Sequence, residues 1–153
     1  MNIKKINFIK FNNYQIKDMS RMFYGCSSLE EINFSNFNTN NVTDMSYMFY
    51  FCFSLKKLSL SNFNTNNVTN MNCLFSFCSS LKELNLSNFN TNNVTKIDYM
   101  FYRCSSLKKI NLSNFKINNP NYMSHLFTGC SSKLSLICTN NLIKKNIKNF
   151  YII

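Results

Sequence analysis

Residues 55–80 read LKKLSLSNFNTNNVTNMNCLFSFCSS, and copies of this unit fill most of the chain. The pair Met22-Phe23 returns as Met48-Phe49, Leu74-Phe75, Met100-Phe101 and Leu126-Phe127, each 26 residues further on. Cys26, Cys52, Cys78, Cys104 and Cys130 keep the same step, as do Ile16, Val42, Val68, Val94 and Pro120. Ile3, Leu29, Leu55, Leu81 and Leu107 open the copies, which run without insertion over 3–28, 29–54, 55–80, 81–106 and 107–132. Two periods coexist in each. Leu58 and Leu60 alternate with polar residues, the mark of a short strand with one buried face. From Val68 the apolar residues Met71, Leu74, Phe75 and Cys78 follow at helical spacing and form a stripe roughly 120° wide, so this part predicts a short helix. Pro120 stands at the expected first helical position, which makes Asn41, Asn67, Asn93 and Asn119 the expected N-caps.

No single unit can bury its apolar face, so the copies must stack around a shared core. A strand and a short helix repeated at this length form the leucine-rich-repeat unit. The expected fold is an α/β solenoid of five strand–turn–helix repeats, with a single parallel sheet about 24 Å long on one face. The stretch SNFNTNNVTDMSYMFYFCFSLKKL, from Ser35 to Leu58, resembles the BspA-like leucine-rich-repeat proteins. The resemblance covers residues 3–132 and implies a surface or secreted interaction role, often adhesion to host or neighbouring cells. Phe11, Phe37, Phe63, Phe89 and Phe115 depart from the common pattern, which has Asn or Cys there. Since Phe cannot hydrogen-bond the loop backbone, neighbouring Asn and Thr must do so. Residues 133–153 read as a C-terminal cap, with a sixth strand over Lys133–Cys138 and a helix striped by Ile143, Ile147, Phe150 and Tyr151. A basic membrane-surface helix is the sharper alternative for that segment.

Nothing assembles a catalytic constellation. His125 shares its repeat position with Arg21, Tyr47, Cys73 and Tyr99, and so reads as a partly exposed slot. The acidic residues Asp18, Asp44, Asp98, Glu30, Glu31 and Glu83 lack a spacing for acid–base or metal work. Two glycines cannot build a phosphate loop. The five repeated cysteines predict a buried ladder of reduced thiols rather than a metal site, leaving Cys73 as the expected reactive thiol. Sequons at Asn33, Asn41, Asn67, Asn85, Asn93 and Asn111 follow from the Asn-rich repeat. No cofactor is expected. No apolar run is long enough to span a membrane, and the N-terminus shows no signal-peptide pattern.

The exposed strand positions carry the functional expectation. One row reads Lys5, Glu31, Lys57, Glu83 and Lys109, alternating in sign; the next reads Asn7, Asn33, Ser59, Asn85 and Asn111. These ten residues form the candidate binding face of a non-catalytic module for a protein or glycan ligand. A purely architectural segment of a longer repeat array, or a unit associating with itself through the N-terminal edge, where the core is expected to be open beside Phe11, Met19 and Phe23, is the alternative. Nucleic-acid binding is weaker: the net charge of +11 permits it, but the sign alternation does not make a polyanion groove. The excess Lys gathers at the ends, at Lys4, Lys5, Lys10 and Lys17 with Arg21, then at Lys133, Lys144, Lys145 and Lys148.

Overall fold

The structure, a computed structural model, describes residues 2–8, 15–35 and 37–150, the last three by backbone alone. Phe11, Lys10 and Tyr151 therefore lie outside the described residues, as do the side chains of Lys148 and Phe150. Six short strands follow in order: β1 (Lys5–Asn7), β2 (Glu31–Asn33), β3 (Lys57–Ser59), β4 (Glu83–Asn85), β5 (Lys109–Leu112) and β6 (Ser135–Cys138). All pairs are parallel and in the 26-residue register, with Ile6 beside Ile32 and Ile32 beside Leu58. The coil is the leucine-rich-repeat solenoid, turn upon turn of one unit.

The strands form two sheets, β1-β2-β3 and β4-β5-β6, where a single sheet was expected. The break falls between β3 and β4, which pair with β2 and β5 respectively but not with each other. Elsewhere in each coil the contact persists, because parallel bridges run from Asp18 to Asp44, Asn70 and Lys96.

The expected helix in each repeat does not form, which corrects the strand–turn–helix reading. The segment is a run of turns that hydrogen-bonds to the next coil. Met71, Cys73, Phe75 and Phe77 donate their N–H groups to Lys96, Asp98, Met100 and Tyr102, whereas Leu74, Ser76 and Cys78 bond three residues back to Met71, Cys73 and Phe75. Cys73 and Phe77 have φ of 55° and 63°, in the left-handed region, so the chain folds over before a helical bond can close. Consecutive three-residue turns space apolar residues much as a helix does. A one-turn 3-10 helix occurs only over Pro120–Tyr122 among the five copies' described residues, capped by Asn119 as expected. Asn67 and Asn93 instead donate to the carbonyls of Asn40 and Asn66, one coil back.

The core is a set of ladders. Phe23, Phe49, Phe75, Phe101 and Phe127 stack in near-parallel planes at 5.5, 5.6, 5.8 and 5.5 Å. Phe37, Phe63, Phe89 and Phe115 are buried too. Around them the loop backbone is satisfied as the chemistry requires: Asn62 and Asn88 each donate to two carbonyls of the preceding coil. The buried Thr65 hydroxyl accepts from Asn90 N at 2.8 Å and donates to Asn90 O at 2.9 Å. Cys52, Cys78, Cys104 and Cys130 donate their thiols to the carbonyls of Phe23, Phe49, Phe75 and Phe101, so each thiol points at backbone rather than at another sulfur.

The two ends differ. At the N-terminal end Met19 and Phe23 are buried, contrary to the expected open core, because the Phe8 ring stacks on Phe34 and meets Phe23 and Phe37 edge-on. Exposed apolar groups there are Ile3, Met22 and Tyr24. At the other end β6 extends the sheet and α1 (Asn141–Phe150) buries Ile143 and Ile147. Asn140 accepts from the N–H groups of Leu142 and Ile143 as an N-cap. Two of the four residues of the expected stripe, Ile143 and Ile147, thus face the core.

Candidate binding face

The strands place the ten predicted residues on one surface. Lys5 lies beside Glu31, Glu31 beside Lys57, and Glu83 beside Lys109. Lys5 reaches Glu31 at 3.2 Å. The stronger ionic cluster sits one row earlier, unnoticed in the sequence: Glu30 takes Lys4 at 3.3 Å and Lys56 at 2.8 Å. Those two ammonium groups hold the Glu30 carboxyl below its ordinary range. The same 26-residue step that aligned Glu31 would have found it. Lys4 and Lys5 are thereby engaged with carboxylates, which weakens the basic N-terminal end as a polyanion site.

The Asn row has a local job. Asn33, Asn85 and Asn111 each accept from the backbone N–H two residues on, at Ser35, Ser87 and Ser113. Such Asx turns direct the chain out of the strand. Ser59 replaces Asn in β3 and makes a hydroxyl contact with Ser61 instead.

Two depressions flank Leu58, which the break between sheets leaves half-buried. One, of about 390 Å³, is lined by Glu31, Ile32, Asn33, Lys57, Leu58 and Ser59. The other, of about 400 Å³, adds Glu83, Leu84, Asn85, Lys109, Asn111 and the exposed Ile137. Beyond the break Lys109 lies beside Glu83, and the residues preceding these two strands are Lys82 and Lys108.

Among the described residues no group of three His, Cys, Asp or Glu side chains converges on a metal-sized site. None of the described helices is long and apolar enough to cross a membrane. Cys73, expected to be the reactive thiol, is 8% exposed and burial raises its pKa, whereas Cys26 and Cys138 are half-buried. His125 is exposed at a left-handed φ of 53° and stacks on Tyr99 at 4.9 Å.

Comparisons with known proteins agree with the fold. A leucine-rich-repeat protein of T. pallidum superposes with a TM-score of 0.57 at 17% identity, over 95% of this chain and 82% of that one. A leucine-rich cell surface protein of Faecalibacterium prausnitzii A2-165 gives 0.43 at 21% identity, over 90% of this chain and 39% of its own. No curated protein matches. The family model described as "Mycoplasma protein of unknown function, DUF285" matches residues 17–141. With that match spanning most of a chain built from 26-residue coils, the protein belongs to DUF285, a family of BspA-like leucine-rich-repeat proteins.

Proposed function

We propose that this chain is a non-catalytic interaction module that binds a protein partner on its strand face. The observation that carries the reading is the pair of depressions beside Leu58, because eight of the ten face residues line them. Alternating Lys and Glu around the apolar Leu58 and Ile137 is the mixed chemistry of protein surfaces that meet proteins. The BspA-like resemblance adds a surface or adhesive setting to this proposal. The test is binding to panels of cell-surface proteins and glycans, repeated with the Lys57→Glu, Glu83→Lys and Lys109→Glu triple variant. A protein ligand held by the natural chain and weakened at least tenfold by the variant supports the reading. An unchanged ligand set, or a glycan ligand on this face, overturns it.

The exposed Ile3, Met22 and Tyr24, together with the outer edge of β1, support a second, architectural reading in which copies stack end on. Light scattering then shows association that rises with concentration and is reduced by Ile3→Lys; a monomer at all concentrations excludes it.

A further inference from the structure

A second feature lies outside the strand face, in the turn segments, where two rows of side chains run along the coils. One reads Arg21, Tyr47, Cys73, Tyr99 and His125; the other reads Tyr24, Tyr50, Ser76, Tyr102 and Thr128. In the third coil both rows lose their ring at once, because Cys73 and Ser76, both buried, stand where the neighbouring coils carry Tyr. A slot of about 330 Å³ opens over them, walled by Tyr47 and Tyr99. Arg21 lies over Tyr47 from the preceding coil at 5.5 Å, and His125 stacks on Tyr99 from the following coil at 4.9 Å. In the core ladder Phe75 fills the corresponding interval between Phe49 and Phe101, at 5.6 and 5.8 Å, so the interval is one ring wide.

A second depression, of about 370 Å³, adjoins the first and shares Phe77 and Tyr102 with it. Phe77 meets Tyr50 and Tyr102 edge-on at 5.6 and 5.4 Å. On its far side the second depression is lined by Arg103, by the hydroxyl residues Ser79, Ser105 and Thr128, and by Gly129. Arg103 lies over Phe77 at 5.8 Å and over Tyr102 at 5.6 Å. No carboxylate among the described residues forms an ion pair with its guanidinium.

The hydrogen-bonding chemistry of the two depressions is one-sided. Neither is lined by a carboxylate, an amide side chain or a lysine; the polar groups are phenols, hydroxyls, a thiol and one guanidinium. The Cys73 thiol beside Tyr47 and burial around Tyr50 push both phenols up, so both keep their protons. The Tyr102 oxygen accepts from Arg103 Nε at 3.4 Å, which leaves its own proton free to donate. The Asp98 carboxylate acts on the Cys73 thiol, so the first slot favours a neutral occupant. Such a lining donates more readily than it accepts. A polyol asks for both functions around its whole rim, and a quaternary ammonium asks for a carboxylate or a ring face that no guanidinium already occupies. A proline segment asks for donors alone: its ring is apolar, its nitrogen carries no hydrogen, and its carbonyls are unpaired in the polyproline conformation. Aromatic-lined grooves take such segments because that conformation exists before binding.

We propose that the two depressions dock a proline-rich, acidic segment of a partner protein, with a proline ring between Tyr47 and Tyr99 and a carboxylate against Arg103. The guanidinium pair fixes the direction in which the segment lies. This surface is separate from the strand face, so the inference goes beyond the proposed function and stands or falls without it.

The test is fluorescence anisotropy of a labelled decaproline ending in two glutamates, titrated with the full chain. The comparison peptides are decaproline ending in two lysines and a Gly-Ser peptide of equal length ending in two glutamates, with cellohexaose as a competitor. Cys73→Tyr is the decisive variant: it fills the first slot with the side chain that the second and fourth coils carry at the same left-handed φ. Far-ultraviolet dichroism and the melting temperature verify its fold, and Tyr99→Ser serves as a second variant. The expected result is binding of the acidic decaproline that weakens at least tenfold in both variants and is unchanged by Lys57→Glu on the strand face. Arg103→Gln should remove the preference for glutamates over lysines. Binding that survives Cys73→Tyr overturns the proposal, as does equal binding of the Gly-Ser peptide, which would show charge attraction only. Preference for the lysine peptide, displacement by cellohexaose, or no binding of either decaproline overturns it too.

Discussion

Replacing Thr65 by Val tests whether the buried threonine row holds the coils together. The two side chains have nearly the same shape, so packing is conserved while one hydroxyl is removed. That hydroxyl satisfies both backbone groups of Asn90, accepting from its N–H at 2.8 Å and donating to its carbonyl at 2.9 Å. Thr65 is 1% exposed, so water does not replace it readily. Each buried backbone group left without a partner costs about 1–3 kcal/mol. Asn90 is itself half-buried, which puts the pair near the lower end, at about 3 kcal/mol. The added methyl returns about 0.8 kcal/mol. The expected loss is therefore about 2 kcal/mol, or about 4–8 °C in melting temperature for a chain of this size. Thr69→Val is the control. Thr69 is exposed, and the Thr43 carbonyl that its hydroxyl touches also accepts the Thr69 N–H at 2.9 Å. The control should shift stability by less than about 0.5 kcal/mol. Calorimetry measures both, and hydrogen exchange should speed up at the Asn90 amide in the first variant alone. Equal melting temperatures for the two variants would refute the argument that the threonine row is structural.

Phe75→Ala should destabilise by about 3–5 kcal/mol, since Phe75 is fully buried between two stacked rings, while His125→Ala should cost under about 1 kcal/mol; similar urea midpoints would contradict the Phe ladder. Burial lifts the thiols of Cys52 and Cys130 from 9.0 to about 12, and those of Cys78 and Cys104 well above 9.0. The unfolded chain therefore binds fewer protons above pH 9, and stability that is complete below that pH should fall as it rises towards 12, by about 1.4 kcal/mol per unit for each thiol. A Cys52→Ala/Cys130→Ala variant should show a shallower alkaline decline, and an identical slope would count against the ladder. Thiol reagents should modify Cys26 and Cys138 in the native protein before Cys73, with Cys78 and Cys104 modified only on unfolding. Gly129→Ala should cost more than Gly25→Ala: both sit at positive φ, but a Cβ at 129 meets Arg103 Cγ at 2.8 Å whereas the one at 25 meets open space. Equal costs in thermal melts would show that the Arg103 stem moves aside freely.

The strand register was legible because two one-dimensional periods determine it. Alternation at Leu58 and Leu60 says which side is buried, and the 26-residue step says who the neighbour is. Lys5 beside Glu31 and Glu83 beside Lys109 follow from those two facts. The helix was misread because the spacing of Val68, Met71, Leu74, Phe75 and Cys78 suits stacked turns as well as a helix. What separates the two is a left-handed residue in the slot of Arg21, Tyr47, Cys73, Tyr99 and His125, and none of these side chains announces that conformation. Gly25 and Gly129, one position in two copies, were the visible hint. The row Lys4, Glu30, Lys56, Lys82 and Lys108, which holds the Glu30 ion pairs, follows the same 26-residue step and was not read. The slot of Arg21, Tyr47, Cys73, Tyr99 and His125, read as a partly exposed position, buries its small member Cys73 and leaves His125 exposed.

The cross-coil hydrogen bonds restrict how this architecture can change in length. Asn62 reaches back 25 and 28 residues to its two carbonyls, Cys78 reaches 29 to Phe49, and Thr65 meets Asn90 25 residues ahead. One inserted residue inside a coil would put every bond that spans the insertion out of step. A duplicated block of 26 residues would disturb none of them, because every donor would find the same acceptor in the copy. Tandem duplication is thus the low-barrier route for such a gene, and its products should come in whole-coil sizes, each one reproducing the surface of the last until substitutions such as Cys73 and Ser76 individualise it.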